Sequence, residues 1–120
     1  MSVDSVRILI IDDEERVREI LAAYLEDSGF QVLQASDGQT GIGFCRRKPP
    51  DLVLCDLRMP GMDGFEVIEG LKANDHDTYL PVLVITAQPG HKLRALQAGA
   101  RDFISKPFDL VEAQTRIRNM

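Results

Sequence analysis

Five short apolar runs, each followed by a stretch with helical spacing, constrain this chain more than any other feature. The runs are Arg7–Ile11 (RILII), Gln31–Ala35 (QVLQA), Asp51–Cys55 (DLVLC), Pro81–Thr86 (PVLVIT) and Asp102–Lys106 (DFISK). Strands that alternate with helices build βαβ units, hence a parallel sheet with right-handed crossovers. The runs read as near-continuous Val, Ile and Leu, which means burial on both faces. The expectation is an α/β fold: a three-layer, open, doubly wound sandwich around a five-stranded parallel sheet in the order 2-1-3-4-5.

The intervening helices follow from apolar spacing. Val17, Ile20, Leu21, Tyr24 and Leu25 fall at i, i+3, i+4, i+7 and i+8, one face of a helix that Gly29 is placed to end. A weaker helix is expected around Gln39–Arg47, where Gly41 and Gly43 each cost about 1 kcal/mol relative to Ala. The next helix places Phe65, Ile68 and Leu71 inward, and the fourth carries Leu93 and Leu96 and stops at Gly99. The last opens on Asp109-Leu-Val-Glu112, a capping box in Asp form.

Composition narrows the function classes. The chain has 120 residues, enough for one domain with its own core. Its net charge of −5 opposes a nucleic-acid footprint and suits a protein that attracts cations. No run approaches the roughly 18 apolar residues of a membrane span. The opening MSVDSVR lacks the apolar core of a signal peptide, so the cytoplasm is the expected compartment. Cys45 and Cys55 fit neither a redox pair nor a zinc set and are read as small buried hydrophobes. His76 and His91, isolated in polar, turn-rich sequence, are read as surface residues without chemistry.

The polar residues at the strand ends carry the functional reading. Asp12 and Asp13 follow the first strand, Asp56 the third, Thr86 ends the fourth and Lys106 the fifth, whereas the second ends in Ala35-Ser36. Ligands of open parallel sheets bind beyond the carboxyl ends of the strands, where strand order reverses. With order 2-1-3-4-5 that reversal lies between strands one and three. Three carboxylates, a hydroxyl and an ammonium therefore converge on one cleft, and only the strand off to the side contributes nothing.

Two carboxylates about 4 Å apart repel by roughly 4 kcal/mol at an effective dielectric near 20, so three need a cation beyond Lys106. All-oxygen ligands select a hard ion, and a phosphate co-ligand suits Mg²⁺, with Mn²⁺ as a substitute, better than Ca²⁺. Such a metal, with a Lys and a hydroxyl opposite, neutralises a phosphoryl group in transfer. One carboxylate is then free to act as nucleophile and form an acyl phosphate.

The motifs IIDDEE, DLVLCDLRMPGMDG, VLVITA and GARDFISKPF resemble the receiver domain of bacterial two-component response regulators over nearly the whole chain. The resemblance implies a flavodoxin-like receiver fold and a phosphorelay switch. Asp56 becomes the phosphoacceptor. Asp13, Asp56 and the backbone carbonyl of Arg58 become direct Mg²⁺ ligands, with Asp12 acting through water. Thr86 and Lys106 bind the phosphoryl group, Thr86 and Phe103 form the switch, and Lys106–Pro107 matches a bond that is cis in the family. The implied partners are a sensor histidine kinase or phosphotransfer protein and an output domain, either beyond Met120 or on a separate protein. Homodimerisation on phosphorylation is a further option, and neither nucleic acid nor membrane is expected to bind this domain. Residues 1–120 then read as a single receiver at the N-terminus of a longer regulator, with no enzymatic role beyond its own phosphoryl transfer and dephosphorylation. The segment from Thr86 to Gly99 is shorter than the family's usual loop and helix, with Pro89 and Gly90 placed early.

Arg58 and Gln88 lie two residues beyond Asp56 and Thr86, so both are expected at the rim of the cleft, tuning the lifetime of the phosphorylated state. The alternative function is a phosphohydrolase of the haloacid dehalogenase type, which uses a similar Asp, Thr and Lys kit. It would carry its nucleophile in a DxD pattern after the first strand, whereas here the isolated acceptor follows the third and position 58 is Arg. A flavodoxin-like nucleotide carrier would need a Gly/Ser/Thr-rich phosphate loop where this chain has DDEERVR. A degenerate receiver that only binds partners would have lost Asp, Thr or Lys.

Overall fold

The computed structural model describes residues 6–74, 80–87, 89–106 and 109–119. Five strands alternate with five helices: β1 (Arg7–Ile11), α1 (Glu15–Asp27), β2 (Gln31–Ala35), α2 (Gly38–Arg47), β3 (Leu52–Asp56), α3 (Gly64–Asn74), β4 (Val82–Thr86), α4 (Lys92–Ala98), β5 (Asp102–Ser105) and α5 (Leu110–Arg118). The sheet is parallel throughout and runs β2-β1-β3-β4-β5, as the strand pattern predicts. Alternation along each strand divides the core. Leu9, Ile11, Val53, Cys55, Val82 and Val84 pack with residues of α2, α3 and α4. Ile8, Ile10, Leu52, Leu54, Leu83, Ile85 and Ile104 pack with α1 and α5 on the other face. Each fully buried Leu or Ile contributes about 1.5–3 kcal/mol relative to exposure, so the central strands supply most of the drive to fold. Both cysteines are buried and free, as the sequence suggests. Among the described residues, no helix is long and apolar enough to cross a membrane.

The helices refine the expectations from spacing. Helix α2 does form, and Gly41 is what lets it dock, whereas a Cβ on Gly43 would meet nothing within 4 Å. A Cβ on Gly41 would lie 2.4 Å from Cδ1 of Ile11, so only Gly permits this approach to β1. The helix starts one residue earlier than its spacing suggests because Asp37 caps it, accepting from the Thr40 N–H at 2.8 Å. Gly29 and Gly99 follow α1 and α4 with φ of 103° and 117°, the left-handed conformation that terminates a helix. At α5, Asp109 accepts from the N–H groups of Val111 and Glu112, while the Glu112 carboxylate turns to Arg116 at 3.6 Å. The reciprocal box stands instead at α3: Glu66 N–H donates to Asp63 at 2.9 Å and Asp63 N–H to Glu66 at 3.1 Å.

Two expectations about buried faces are corrected. Ile20 is 58% exposed, because the buried stripe of α1 is Leu21, Ala22 and Leu25, and Ile20 flanks a groove towards α5. Leu93 and Leu96 are 66% and 41% exposed, whereas Ala95 is the residue of α4 that is buried. The 3₁₀ turn Pro89–His91 leads straight into this seven-residue helix, whose rotational phase the spacing of two leucines cannot fix. His91 is likewise no free surface residue. It is half-buried, meets Phe65 edge-on with ring centroids 5.9 Å apart, and joins Arg94, stacked 4.0 Å over the same ring, in fastening the start of α4 to α3. His76 lies outside the described residues.

Candidate functional site: an acidic pocket at the sheet switch point

The pocket is built where β1 and β3 lie side by side and the chain leaves the sheet on opposite faces. Asp12 is the first residue beyond β1. Its N–H donates to Ala35 O at 3.1 Å, extending the ladder to β2, and its Oδ1 accepts the Glu14 N–H at 2.9 Å. The residue is 0% exposed, and its other oxygen, Oδ2, has no hydrogen-bond partner among the described residues. Asp56, the last residue of β3, is 3% exposed. Its Oδ1 accepts the Arg58 N–H at 3.3 Å and its Oδ2 takes Lys106 Nζ at 3.3 Å. Asp13 is exposed, and one carboxylate oxygen from each of Asp12, Asp13 and Asp56 lies within 4.8 Å of the others.

Local backbone chemistry fixes Asp56. Past Leu57 the chain turns through Met59-Pro-Gly61 and returns at Gly64, whose N–H donates to Leu57 O at 3.0 Å. A Cβ on Gly64 would lie 2.9 Å from the carbonyl oxygen of Asp56 and 2.8 Å from Cα of Leu57, so the turn closes against β3 only with glycine there. Thr86 is buried at the end of β4, one residue beyond Ile85, the register partner of Asp56. Lys106 follows β5, its N–H donating to Thr86 O at 2.7 Å.

The electrostatics are those of a site lacking positive charge. Burial raises the pKa of Asp12 to about 6, partly offset by the Glu14 N–H and reinforced by Asp56. Burial also raises Asp56, and this outweighs the opposing pull of Lys106 and the Arg58 N–H. Burial acts to lower Lys106, but Asp56 and Asp12 prevail and raise it. Among the described residues Lys106 is paired with Asp56 at 3.3 Å, feels the charge of Asp12 and also pairs with Glu14 at 3.5 Å, so its charge is shared. An all-oxygen cluster with an unpartnered buried oxygen fits a hard divalent cation.

The residues expected at this site do converge: Asp12, Asp13, Asp56 and Lys106 share it, with Thr86 next to Lys106 through the backbone. Arg58 is exposed at its rim. Gln88 and Pro107 lie outside the described residues. Phe103 stands apart from the acidic cluster, half-buried on the α4 side of β5, with Lys92 Nζ 4.7 Å and Arg116 Cζ 5.8 Å from its ring centre. Sequence reasoning missed Glu14 as a competitor for Lys106. The signal was its place directly after Asp12-Asp13, where a side chain at the helix entrance overhangs the same cleft.

The family model of the response regulator receiver domain matches residues 8–118. The chain belongs to this family. The receiver is 40% identical over 118 residues to the response regulator PleD of Caulobacter vibrioides, covering 97% of this chain and 26% of that protein. It is 39% identical over 114 residues to RpaA of Synechocystis, a DNA-binding dual master transcriptional regulator, covering 93% and 47% respectively. Among solved structures it resembles NtrX from Brucella abortus with a TM-score of 0.86 at 28% identity, over 96% of this chain and 26% of that one. The receiver thus spans between about a quarter and a half of the curated relatives it matches. It is a phosphorelay signal-transduction module, and neither the match nor the pocket favours the haloacid dehalogenase alternative.

Proposed function

We propose that Asp56 accepts a phosphoryl group from a phosphohistidine on a sensor kinase or phosphotransfer protein. The observation that carries this is the placement of Asp56: a 3% exposed carboxylate at the end of a central strand, 3.3 Å from Lys106 Nζ and grouped with Asp12 and Asp13. A carboxylate oxygen of Asp56 attacks phosphorus in line, the P–N bond breaks, and the imidazole leaves with the electron pair and later takes a proton. The product is an acyl phosphate on Asp56.

Asp13, Asp56 and the carbonyl of Arg58 would hold Mg²⁺ directly, with Asp12 bound through water. The ion, when bound, supplies the charge that one lysine cannot. Lys106 pairs with a phosphoryl oxygen once Asp56 is phosphorylated, and the Thr86 hydroxyl donates to another. Thr86 and Phe103 sit on the same face of adjacent strands, since Val84 pairs with Phe103 and Thr86 with Ser105. Movement of the hydroxyl towards the phosphoryl group therefore opens space towards which the ring turns, altering the α4–β5 surface that an output domain or partner reads. Arg58, exposed beside Asp56, lies across the phosphoryl oxygens and obstructs the water that would hydrolyse them; Gln88 at most orients that water. The domain acts in the cytoplasm, as one part of a larger regulator.

Incubation with a small acyl-phosphate donor and Mg²⁺, followed by mass spectrometry, tests the acceptor. One hydroxylamine-labile phosphate is expected on wild type and none on Asp56→Ala. Equal incorporation into both would assign the phosphate elsewhere.

A further inference from the structure

The edge strand β2 ends without a charged or catalytic residue, yet it reaches the pocket through a side chain of α1. Arg18 extends back from the first turns of α1 and donates from Nη1 to the carbonyl oxygen of Asp12 at 2.8 Å. Its Nε donates to Oε1 of Gln34, on β2, at 3.1 Å. The two bonds leave from one planar guanidinium, so the fork fixes the distance between the Asp12 carbonyl and β2 in a way that a flexible ammonium cannot.

Three of the four polar groups of Asp12 are thereby tied. The N–H is held by Ala35, the carbonyl by Arg18 and Oδ1 by the Glu14 N–H. Among the described residues only Oδ2 is left buried without a hydrogen-bond partner, and one carboxylate oxygen of Asp12 is grouped with Asp13 and Asp56. Three fastened groups determine where the fourth points. The carbonyl of Asp12 also begins the peptide that carries Asp13, so the same bond sets the direction in which the exposed ligand leaves the sheet.

We propose that Arg18, braced by Gln34, is a positioning residue for the cation site, holding the Asp12-Asp13 peptide so that both carboxylates face Asp56. It touches neither the reacting atoms nor the ion. Gln34 has a functional reason to occupy a strand that otherwise needs only apolar residues inward. The inference rests on the reading of the acidic cluster as a Mg²⁺ site, and its test separates the two.

Mg²⁺ alone is titrated into the intact chain, followed by calorimetry and by the amide shifts of Asp12 and Asp13, for wild type, R18M, R18K and Q34L. Partners that orient metal ligands are worth about 10–100-fold in affinity, and an indirect brace acts at the low end, so R18M should bind roughly ten-fold more weakly. R18K, which keeps a donor for the Asp12 carbonyl but loses the fork, should fall between, and Q34L should show a smaller loss in the same direction. Phosphorylation of R18M by an acyl-phosphate donor should be slow at low Mg²⁺ and recover at saturating Mg²⁺, a split that general destabilisation does not produce. Gln34 is exposed, so Q34L preserves the fold even where R18M does not. Wild-type affinity in both R18M and Q34L overturns the brace while leaving the metal reading intact. Failure of wild type itself to bind Mg²⁺ overturns the metal reading and the brace with it.

Discussion

The acidic pocket and helix α4 both begin at the carboxyl end of a strand, yet they are held in opposite ways. In the pocket, the carboxylates of Asp12 and Asp56 each accept a backbone N–H, and Asp56 also takes Lys106. Helix α4 buries Ala95 alone among its residues, leaves both leucines outward and is fastened at its start by His91 and Arg94 against Phe65. Few buried apolar contacts mean a low free energy for local rearrangement. The difference separates two tasks on one sheet. On the proposed function, the chemistry would need fixed atoms, and a readout would need an element that yields to a small displacement at Thr86 before the sheet does.

The largest expected effect is on the rigid side. Asp13→Ala should lower phosphorylation of Asp56 by at least about a hundredfold, the scale of losing a main electrostatic contact to the transferring group. Because Asp13 is exposed, thermal stability should hold or rise as repulsion with Asp12 and Asp56 is relieved. Collapse of stability in this variant would show the pocket to be part of the core rather than a site mounted on it.

Asp12 gives the comparison a pH signature. Its carboxyl titrates near 6 in the folded protein against an ordinary 3.8. Between these values the folded state keeps a proton that the unfolded chain has lost, so stability falls as pH rises through that window. In metal-free protein, Asp12→Asn removes the cost and should stabilise above pH 6 by on the order of 2–3 kcal/mol, with little effect below pH 4. Urea unfolding at both pH values, with chelator present, measures it. A gain that is the same at both would mean the carboxylate charge is not its source.

The strand ends were legible because parallel, doubly buried strands announce themselves as apolar runs, and a charge closing such a run is conspicuous. Order 2-1-3-4-5 then brought Asp12, Asp13, Asp56, Thr86 and Lys106 to one end of the sheet. Helix phase was less legible. Ile20, Leu93 and Leu96 fit an apolar stripe by spacing, but the angle at which a helix enters decides which flank of a stripe is covered. The glycines of α2 looked like helix breakers, although Gly41 is the docking surface against Ile11. Glu14, Arg18 and Gln34 act through long side chains reaching between elements, and no local periodicity encodes that reach.

On the looser side, Ala95→Leu should destabilise by about 1–3 kcal/mol, since it forces bulk into the one fully buried position of α4. A neutral result would mean that α4 is looser than its contacts imply. Arg58→Asn is expected to shorten the phosphoryl half-life several-fold without changing Mg²⁺ affinity, because the proposed metal contact uses the backbone carbonyl. Unchanged or slower decay after donor removal means that the side chain does not guard the acceptor. Smallest of all, Leu93→Ser should change stability by less than about 0.5 kcal/mol, as surface substitutions do. A loss above 1 kcal/mol would erase the contrast between pocket and helix.

The two thiols turn this contrast into a measurable rate. A thiol reacts as its thiolate, and burial pushes Cys45 up to about 11 and Cys55 higher still, with Asp56 adding to the latter. Neither sulfur is therefore open to an alkylating reagent at neutral pH until the structure around it parts. Cys55 lies between β1 and β4 on the central strand, next to Asp56, and Cys45 lies on α2. Under native conditions, modification of Cys55 times the opening of the whole sheet, whereas modification of Cys45 times the lifting of a single helix. Binding of a cation or a phosphoryl group at Asp56 should slow the first far more than the second, so the chain carries its own reporter of occupancy directly behind the residue it reports on.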